Sequence, residues 1–223
     1  MNKKVLVTVA ALSLATSVGF ASPLNDFSKG NVAVDVSVRP SNDLKVSDNG
    51  TFDGKNSWEY GVTAGLGNKL AVQYKNYNPL SKDYSDGDNV INGKLDTQEF
   101  NVLYKLDKNF TAFTGVNQVK SIYRVNGRDF TGDTKSNWQV GITGQTDLSD
   151  KLVGYATISA GEDTNAYKLG LGYAIDKNLD FDVFYGQNKY NKVKYNSDVA
   201  LLAGSTDADY TVKGFGYGVT YKF

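Results

Sequence analysis

The feature that most constrains this chain is the segment Gly214-Phe-Gly-Tyr-Gly-Val-Thr-Tyr-Lys-Phe223. Phe215, Tyr217, Val219, Tyr221 and Phe223 occupy every second position, with Gly216, Gly218, Thr220 and Lys222 between them. Side chains alternate faces along a strand, so one face is wholly apolar and the other small or polar. A water-soluble sheet buries such a face in a core. A transmembrane barrel turns it toward lipid.

The other end of the sequence points the same way. Met1-Asn-Lys3-Lys4 is a short positive head, and Val5 to Phe20 is apolar with small residues mixed in. Gly19-Phe20-Ala21 supplies small residues where a signal peptidase reads them. The expectation is a secretory signal peptide over 1–21, cleaved after Ala21, followed by one barrel domain over 22–223. An apolar run rich in Ala, Ser and Thr is short for a spanning helix, which needs about 20 apolar residues. The sequence holds no second long apolar run, so no transmembrane helix is expected.

Composition narrows the function classes. The chain has 15 Tyr, 11 Phe, 23 Gly and 3 Pro, and a mean hydropathy of −0.39. A helical membrane protein is far more apolar, whereas a barrel has a polar interior and polar loops. Lys and Arg balance Asp and Glu at 24 each, and losing Lys3 and Lys4 with the leader tips the rest toward acid. That leaves no basic footprint for nucleic acid. There is no Cys and no His. Disulfides, thiolate chemistry, lipid attachment through Cys, the usual general base and the commonest metal ligand are all missing.

Four short turns look alike: Leu66-Gly67-Asn68-Lys69-Leu70, Leu106-Asp-Lys108-Asn109-Phe110, Leu148-Ser-Asp150-Lys151-Leu152 and Ile175-Asp-Lys177-Asn178-Leu179. Their Gly, Asn, Asp and Lys residues suit tight hairpins. Between the turns, alternation predicts ten strands: 31–39, 57–66, 70–77, 97–106, 110–119, 137–146, 152–160, 166–175, 179–187 and 214–223. Such lengths match the roughly 9 to 11 residues that a tilted strand needs to cross a bilayer. Long polar loops are expected over 40–56, 78–96, 120–136 and 188–209, with a shorter one over 161–165. Aligned on the turns, strands place Phe113, Tyr155 and Phe184 inside. Trp58 and Trp138 start strands beside the long loops, where an aromatic girdle meets the headgroups. Tyr104, Phe110, Tyr173, Phe181, Tyr221 and Phe223 fall near the other rim.

With its terminal aromatic strand, leader and hairpin rhythm, the chain resembles the small bacterial outer-membrane barrels of the OmpA-transmembrane, OmpX and opacity-protein type. The C-terminal segment resembles the assembly signal of such proteins, read by the barrel-assembly machinery through Phe215, Tyr217, Val219, Tyr221 and Phe223. The resemblance implies an all-β, antiparallel, up-and-down transmembrane barrel of about ten strands, with short periplasmic turns and long extracellular loops. It implies a multi-pass place in the outer membrane of a Gram-negative-type bacterium, among lipid and lipopolysaccharide, as a monomer. No peptidoglycan-binding domain is expected after the barrel.

The same register assigns ten charges to the lumen: Asp35, Glu59, Glu99, Asp180 and Asp182 against Arg39, Lys75, Lys105, Lys168 and Lys222. Charges in a narrow interior are costly unless paired, so a balanced set reads as cross-strand neutralisation. Barrels of about eight strands are just filled by side chains, and ten is close to that limit. Inward Gly61, Gly65, Gly115, Gly141, Gly186, Gly216 and Gly218 leave some room. Barrel enzymes of this kind rely on His beside Ser or Asp, so no enzyme is expected and no cofactor or metal. Asp180 and Asp182 read as lumen charges rather than a catalytic pair, and Asp83 to Asn89 as a solvated loop. Lys189 to Tyr195 is a small basic, aromatic cluster that reads as a solvated loop, the alternative being contact with the phosphates of lipopolysaccharide or with a host surface. The expected role is structural or surface-interacting, through the extracellular loops. The alternative is a small porin giving narrow, weakly selective passage to ions or small solutes.

Overall fold

The computed structural model describes residues 23–24, 26–47 and 50–223; the expected leader and its cleavage point at Ala21 lie outside them. Along the chain run β1 (Val32–Arg39), β2 (Asp43–Val46), β3 (Gly50–Asp53), β4 (Ser57–Gly67), β5 (Leu70–Asn78), β6 (Tyr84–Asp86) and β7 (Asn89–Lys105). Then come β8 (Phe110–Val125), β9 (Arg128–Thr131), β10 (Lys135–Asp147), β11 (Leu152–Gly161), β12 (Thr164–Ala174), β13 (Leu179–Lys194), helix α1 (Ser197–Ala203) and β14 (Asp207–Lys222). Ten long strands are the staves of a closed antiparallel barrel, in the order β1-β4-β5-β7-β8-β10-β11-β12-β13-β14. The ring closes where β14 pairs with β1, from Ala33 opposite Lys222 to Val38 opposite Tyr217.

Two of the four repeated turn sequences, those at Asp107 and Asp176, fold alike because their chemistry is alike. Asp107 Oδ1 accepts the backbone N–H groups of Asn109 and Phe110 at 2.7 and 2.9 Å. Asp176 Oδ1 accepts those of Asn178 and Leu179 at 2.7 and 2.9 Å. Each turn's Asn then ties the hairpin to the next stave: Asn109 Nδ2 donates to the Gln145 carbonyl, and Asn178 Nδ2 to that of Lys222. The first turn uses backbone freedom instead, with Gly67, Asn68 and Lys69 all at positive φ, the region open to Gly and tolerated by Asn. These turns fix register, and the turn-side end of every stave lies within a residue of its expected place.

The other ends depart from expectation. β7 begins at Asn89, β8 runs to Val125, β13 to Lys194, and β14 begins at Asp207. After a break at Pro40-Ser41-Asn42, β2 continues along β14 from Asp43 opposite Lys213 to Val46 opposite Tyr210, and β3 folds back onto β2. β6 pairs with β7, and β9 with β8. Backbone contacts from Gly54 to Ser81 and Leu80 to Lys94 join these hairpins. The segments expected as long loops are therefore paired strands that raise the wall into a crown. Helix α1 is a second departure: Asn196 caps its N-terminus by accepting the Val199 N–H, and Gly204 ends it in the left-handed conformation.

Alternation explains the crown. Leu44, Val46, Leu95, Val119, Tyr190, Tyr210 and Val212 point inward and are buried in one apolar core with Val193, Tyr195 and Val199. Their neighbours Asp43, Lys45 and Lys213 face out and are exposed. Above β10, β11 and β12, where no strand rises among the described residues, Lys135 Nζ spans the opening. It donates to Asp163 Oδ2 at 2.6 Å and to the carbonyls of Asn191 and Lys192 at 3.2 Å.

Around the middle of the barrel the outer face is apolar. Trp58, Tyr60, Val62 and Leu66 on β4, Phe100, Val102 and Tyr104 on β7, and Leu169, Leu171 and Tyr173 on β12 are all exposed. Phe215, Tyr217, Val219, Tyr221 and Phe223 complete the belt at the closing seam. From Trp58 to Leu66 the belt runs about 27 Å along the strand. A tilt of about 40° leaves roughly 20 Å of height, near the 25 Å or so of a transmembrane barrel's apolar band.

Candidate functional site

The lumen is the candidate site, and it is built in three layers. At the turn side, residues 23–24 and 26–30 lie in the mouth. Leu24 and Phe27 pack on Ala33, Ala71, Leu103 and Phe113 as a buried apolar plug. Gly67 N–H donates to the Phe27 carbonyl at 2.9 Å. A Cβ on Gly65 would collide with the Ser28 carbonyl, so this glycine is the space through which the plug segment passes.

The middle layer is polar. Glu59 is its hub: Oε2 accepts Arg39 Nη2 at 3.1 Å, Oε1 accepts Lys168 Nζ at 3.2 Å, and Lys75 Nζ stands 3.9 Å away. All four side chains are buried. Phe184 backs the cluster, with Lys168 Nζ 3.7 Å and Arg39 Cζ 5.3 Å from its ring centroid. A chain of amides crosses the staves from Thr63 through Gln73, Asn101 and Gln139 to Glu99, which also accepts Asn117 Nδ2 at 3.2 Å. Tyr155 OH donates to Asp182 Oδ2.

The remaining expected lumen charges divide by height. Asp35 is buried and sits against Gly61. Asp180 is buried and ion-paired with Lys222, which is half-buried at the turn-side rim, as is Lys105. The structure thus brings Arg39, Glu59, Lys75 and Lys168 together and sends Asp180 and Asp182 to different partners. Beside the rim lies a polar depression of about 480 Å³, lined among others by Asp147, Asp150, Lys151, Asp180 and Lys222.

The inward glycines do not line open space. Gly141 faces the Phe113 ring, Gly216 the Phe184 ring, Gly61 the Asp35 carboxylate, Gly218 the Ser37 Cβ, and Gly115 the Asn101 side chain and the Phe100 carbonyl. Gly170 does the same for Tyr155. Large rings cross the narrow lumen because the facing residue is a glycine.

The top layer is the crown core. Arg39 Cζ lies 4.4 Å from the Tyr77 ring centroid, and above it Tyr123, Tyr195 and Tyr210 form a closed triangle of hydroxyls at 2.7, 2.7 and 2.8 Å. Burial and then the neighbouring phenols push the Tyr195 and Tyr210 hydroxyls well above their ordinary value. On the crown surface, hydrogen bonds from Lys55 and Asn92 hold Asp83 below the usual carboxylate value, and Arg124 does so for Asp129. Asp83, in the acidic loop, is thus committed to its neighbours. In the basic cluster after Lys189, Tyr190, Val193 and Tyr195 point into the core, while Lys192 and Lys194 pair with Asp163 and Asp207.

Sequence reasoning missed the plug, the tyrosine triangle and the amide chain. The signal for the plug was present in Leu24 and Phe27, apolar residues ahead of the first stave. Trp58 and Trp138 are exposed on the outer face, Trp138 at 72 %.

No protein-family model matches the chain. No curated protein matches it either. Among solved structures, Neisserial surface protein A is similar over 87% of this chain and 100% of its own, at 16% identity and a TM-score of 0.46. The attachment invasion locus protein Ail of Yersinia pestis is similar over 87% and 99%, at 11% identity and 0.41. The outer membrane protease OmpT of Escherichia coli is similar over 92% and 100%, at 13% identity and 0.47. The barrel assignment rests on the pairing of the ten staves.

Proposed function

We propose that this chain is an integral outer-membrane β-barrel, serving as a sealed stand for a crown that meets partners at the cell surface. The observation that carries the reading is the inversion of polarity. The barrel's outer face is an exposed apolar belt, while its interior holds buried ions and amides. A soluble sandwich is built the other way round. Aromatic residues at both edges of the belt fit the two headgroup levels. The short turns then face the periplasm and the crown faces outward. No enzymatic role is proposed: the chain has no His, and the lumen carboxylates are engaged in structural pairs or enclosed between the plug and the crown core.

Passage of ions or solutes would require both closures, the plug around Phe27 and the crown core, to open. The test is to refold the protein into planar bilayers and record single-channel currents. Quenching of Trp58 and Trp138 by brominated lipid verifies insertion in parallel. The expected result is quenching without current. Steady, reproducible openings would replace the sealed stand with a small porin. Tryptophans untouched by brominated lipid would refute membrane insertion itself.

A further inference from the structure

The crown wall of β13, β14 and β2 carries cations where the belt ends. Asn188, Tyr190, Leu44, Val46 and Val212 are buried toward the core, so Lys189, Thr211, Lys213 and Lys45 face outward. Register sets their spacing. Lys189 stands opposite Thr211, and Thr211 opposite Lys45, in one row across three strands. In the row below, Lys213 stands between Gln187 and Asp43. With strands about 4.8 Å apart and about 3.3 Å per residue, Lys189 and Lys45 are roughly 10 Å apart at the backbone, with Lys213 about 7 Å below their row. Lysine side chains span such gaps, so the three ammonium groups can converge on one doubly charged head.

The next residues down the outer face are Tyr185 and Phe215, whose rings meet at 4.9 Å. Phe215 is 72 % exposed. They end the apolar belt, so the lysines stand at headgroup height. Elsewhere around the barrel the first outward residues above the belt include neutral Gln98, Gln118 and Ser136. Several other crown lysines are held by carboxylates: Lys55 by Asp83, Lys82 by Asp53, Lys120 by Asp96, and Lys194 by Asp207. Among the described residues no ion pair holds Lys45 or Lys189, and Lys213 shares Asp43 only at 3.6 Å in an exposed pair.

We propose that Lys45, Lys189 and Lys213 bind the phosphates of a glycolipid in the surrounding outer leaflet. Thr211 and Gln187 are placed for its sugar hydroxyls, and Phe215 for its acyl chains. Basic residues near a membrane surface attract anionic headgroups at about 1 kcal/mol each, or about fivefold in affinity. The site rests on the membrane reading, and the experiment separates the two.

The probe is diphosphoryl lipid A, titrated onto the refolded full chain in neutral detergent micelles and read by native mass spectrometry. Replacing the lysines by Gln (Lys45→Gln, Lys189→Gln, Lys213→Gln together) should weaken binding by about a hundredfold at low salt. The parent should bind dephosphorylated lipid A comparably weakly. Turn-side replacements (Lys69→Gln, Lys108→Gln, Lys177→Gln) should leave binding unchanged. Equal binding by the parent and the crown-wall variant would overturn the proposal, as would equal loss in the turn-side variant. Competition by inorganic pyrophosphate as effective as lipid A would make this a soluble-phosphate site and overturn the lipid assignment. Brominated-lipid quenching of Trp58 and Trp138 in the same protein tells a failed site, which still inserts, from a failed membrane reading, which does not.

Discussion

Replacing Glu59 by Gln is the sharpest perturbation of the lumen. The amide keeps the shape and a hydrogen-bond acceptor but withdraws the negative charge at the centre of Arg39, Lys75 and Lys168, which approach it at 3.1, 3.9 and 3.2 Å. Two charge-assisted hydrogen bonds weaken, each contributing about 1.5–3 kcal/mol. Three buried cations then face one another without their shared partner, and breaking a buried pair from one side costs about 3–5 kcal/mol. The two bonds together bound the first route at about 3–6 kcal/mol, and the second sets the expected loss at about 3–5 kcal/mol. Urea unfolding of the barrel refolded in lipid, followed by tryptophan fluorescence and by heat-modifiable gel mobility, measures it. Lys168→Met in the Glu59→Gln background should recover about 1–2 kcal/mol, because that side chain already lies over the Phe184 ring. A Glu59→Gln barrel within about 1 kcal/mol of the parent would refute the hub.

Other outcomes follow from the layers. Phe27→Asp should expel the plug segment, and limited proteolysis should then cut beside Phe27, where the parent should resist it. Lys135 and Lys192 hold the Asp163 carboxyl below its ordinary value of 3.8. The bridge's stabilisation is therefore fully present above that value and is lost as pH falls through the lower folded value. Hydrogen exchange at Asn191, whose N–H donates to the Asp163 carbonyl, should speed up only in that acid range; an onset near neutrality would contradict the assignment. Removing Phe223, 69 % exposed at the closing seam, should reduce the membrane-inserted fraction in cells while leaving refolding into detergent nearly intact. Normal insertion would show that this residue is not part of an assembly signal.

How much of this was legible depends on the kind of signal. The staves were readable because Asp107 and Asp176, in near-identical turns, fix register, and register fixes which face each alternate residue takes. The inward placement of Phe113, Tyr155 and Phe184 follows from that register although their hydrophobicity argues against it. The crown was missed because its strands are rich in Asp, Asn, Gly and Lys, which read as loops when composition is weighed above alternation. Yet Leu44/Val46 and Tyr210/Val212 keep the same two-residue period as the staves. The occupants of the inward glycines were illegible for a different reason. That Gly141 makes way for Phe113, or Gly216 for Phe184, depends on which residues are opposed across strands, which no single segment records.

The pairing of the crown has a consequence for how its surface can change. In a free loop nearly every position can vary. Here the inward residues of each raised strand are committed to a shared core, so substitutions that alter what the surface presents are confined to alternate positions and to the hairpin tips near Gly87 and Gly127. On the proposed surface reading, diversification of the crown would leave a comb-like record, with tolerant and intolerant positions alternating up each wall. A partner would meet a fixed relief whose backbone is already ordered, so recognition would draw on shape and outward charge with little cost of folding on contact.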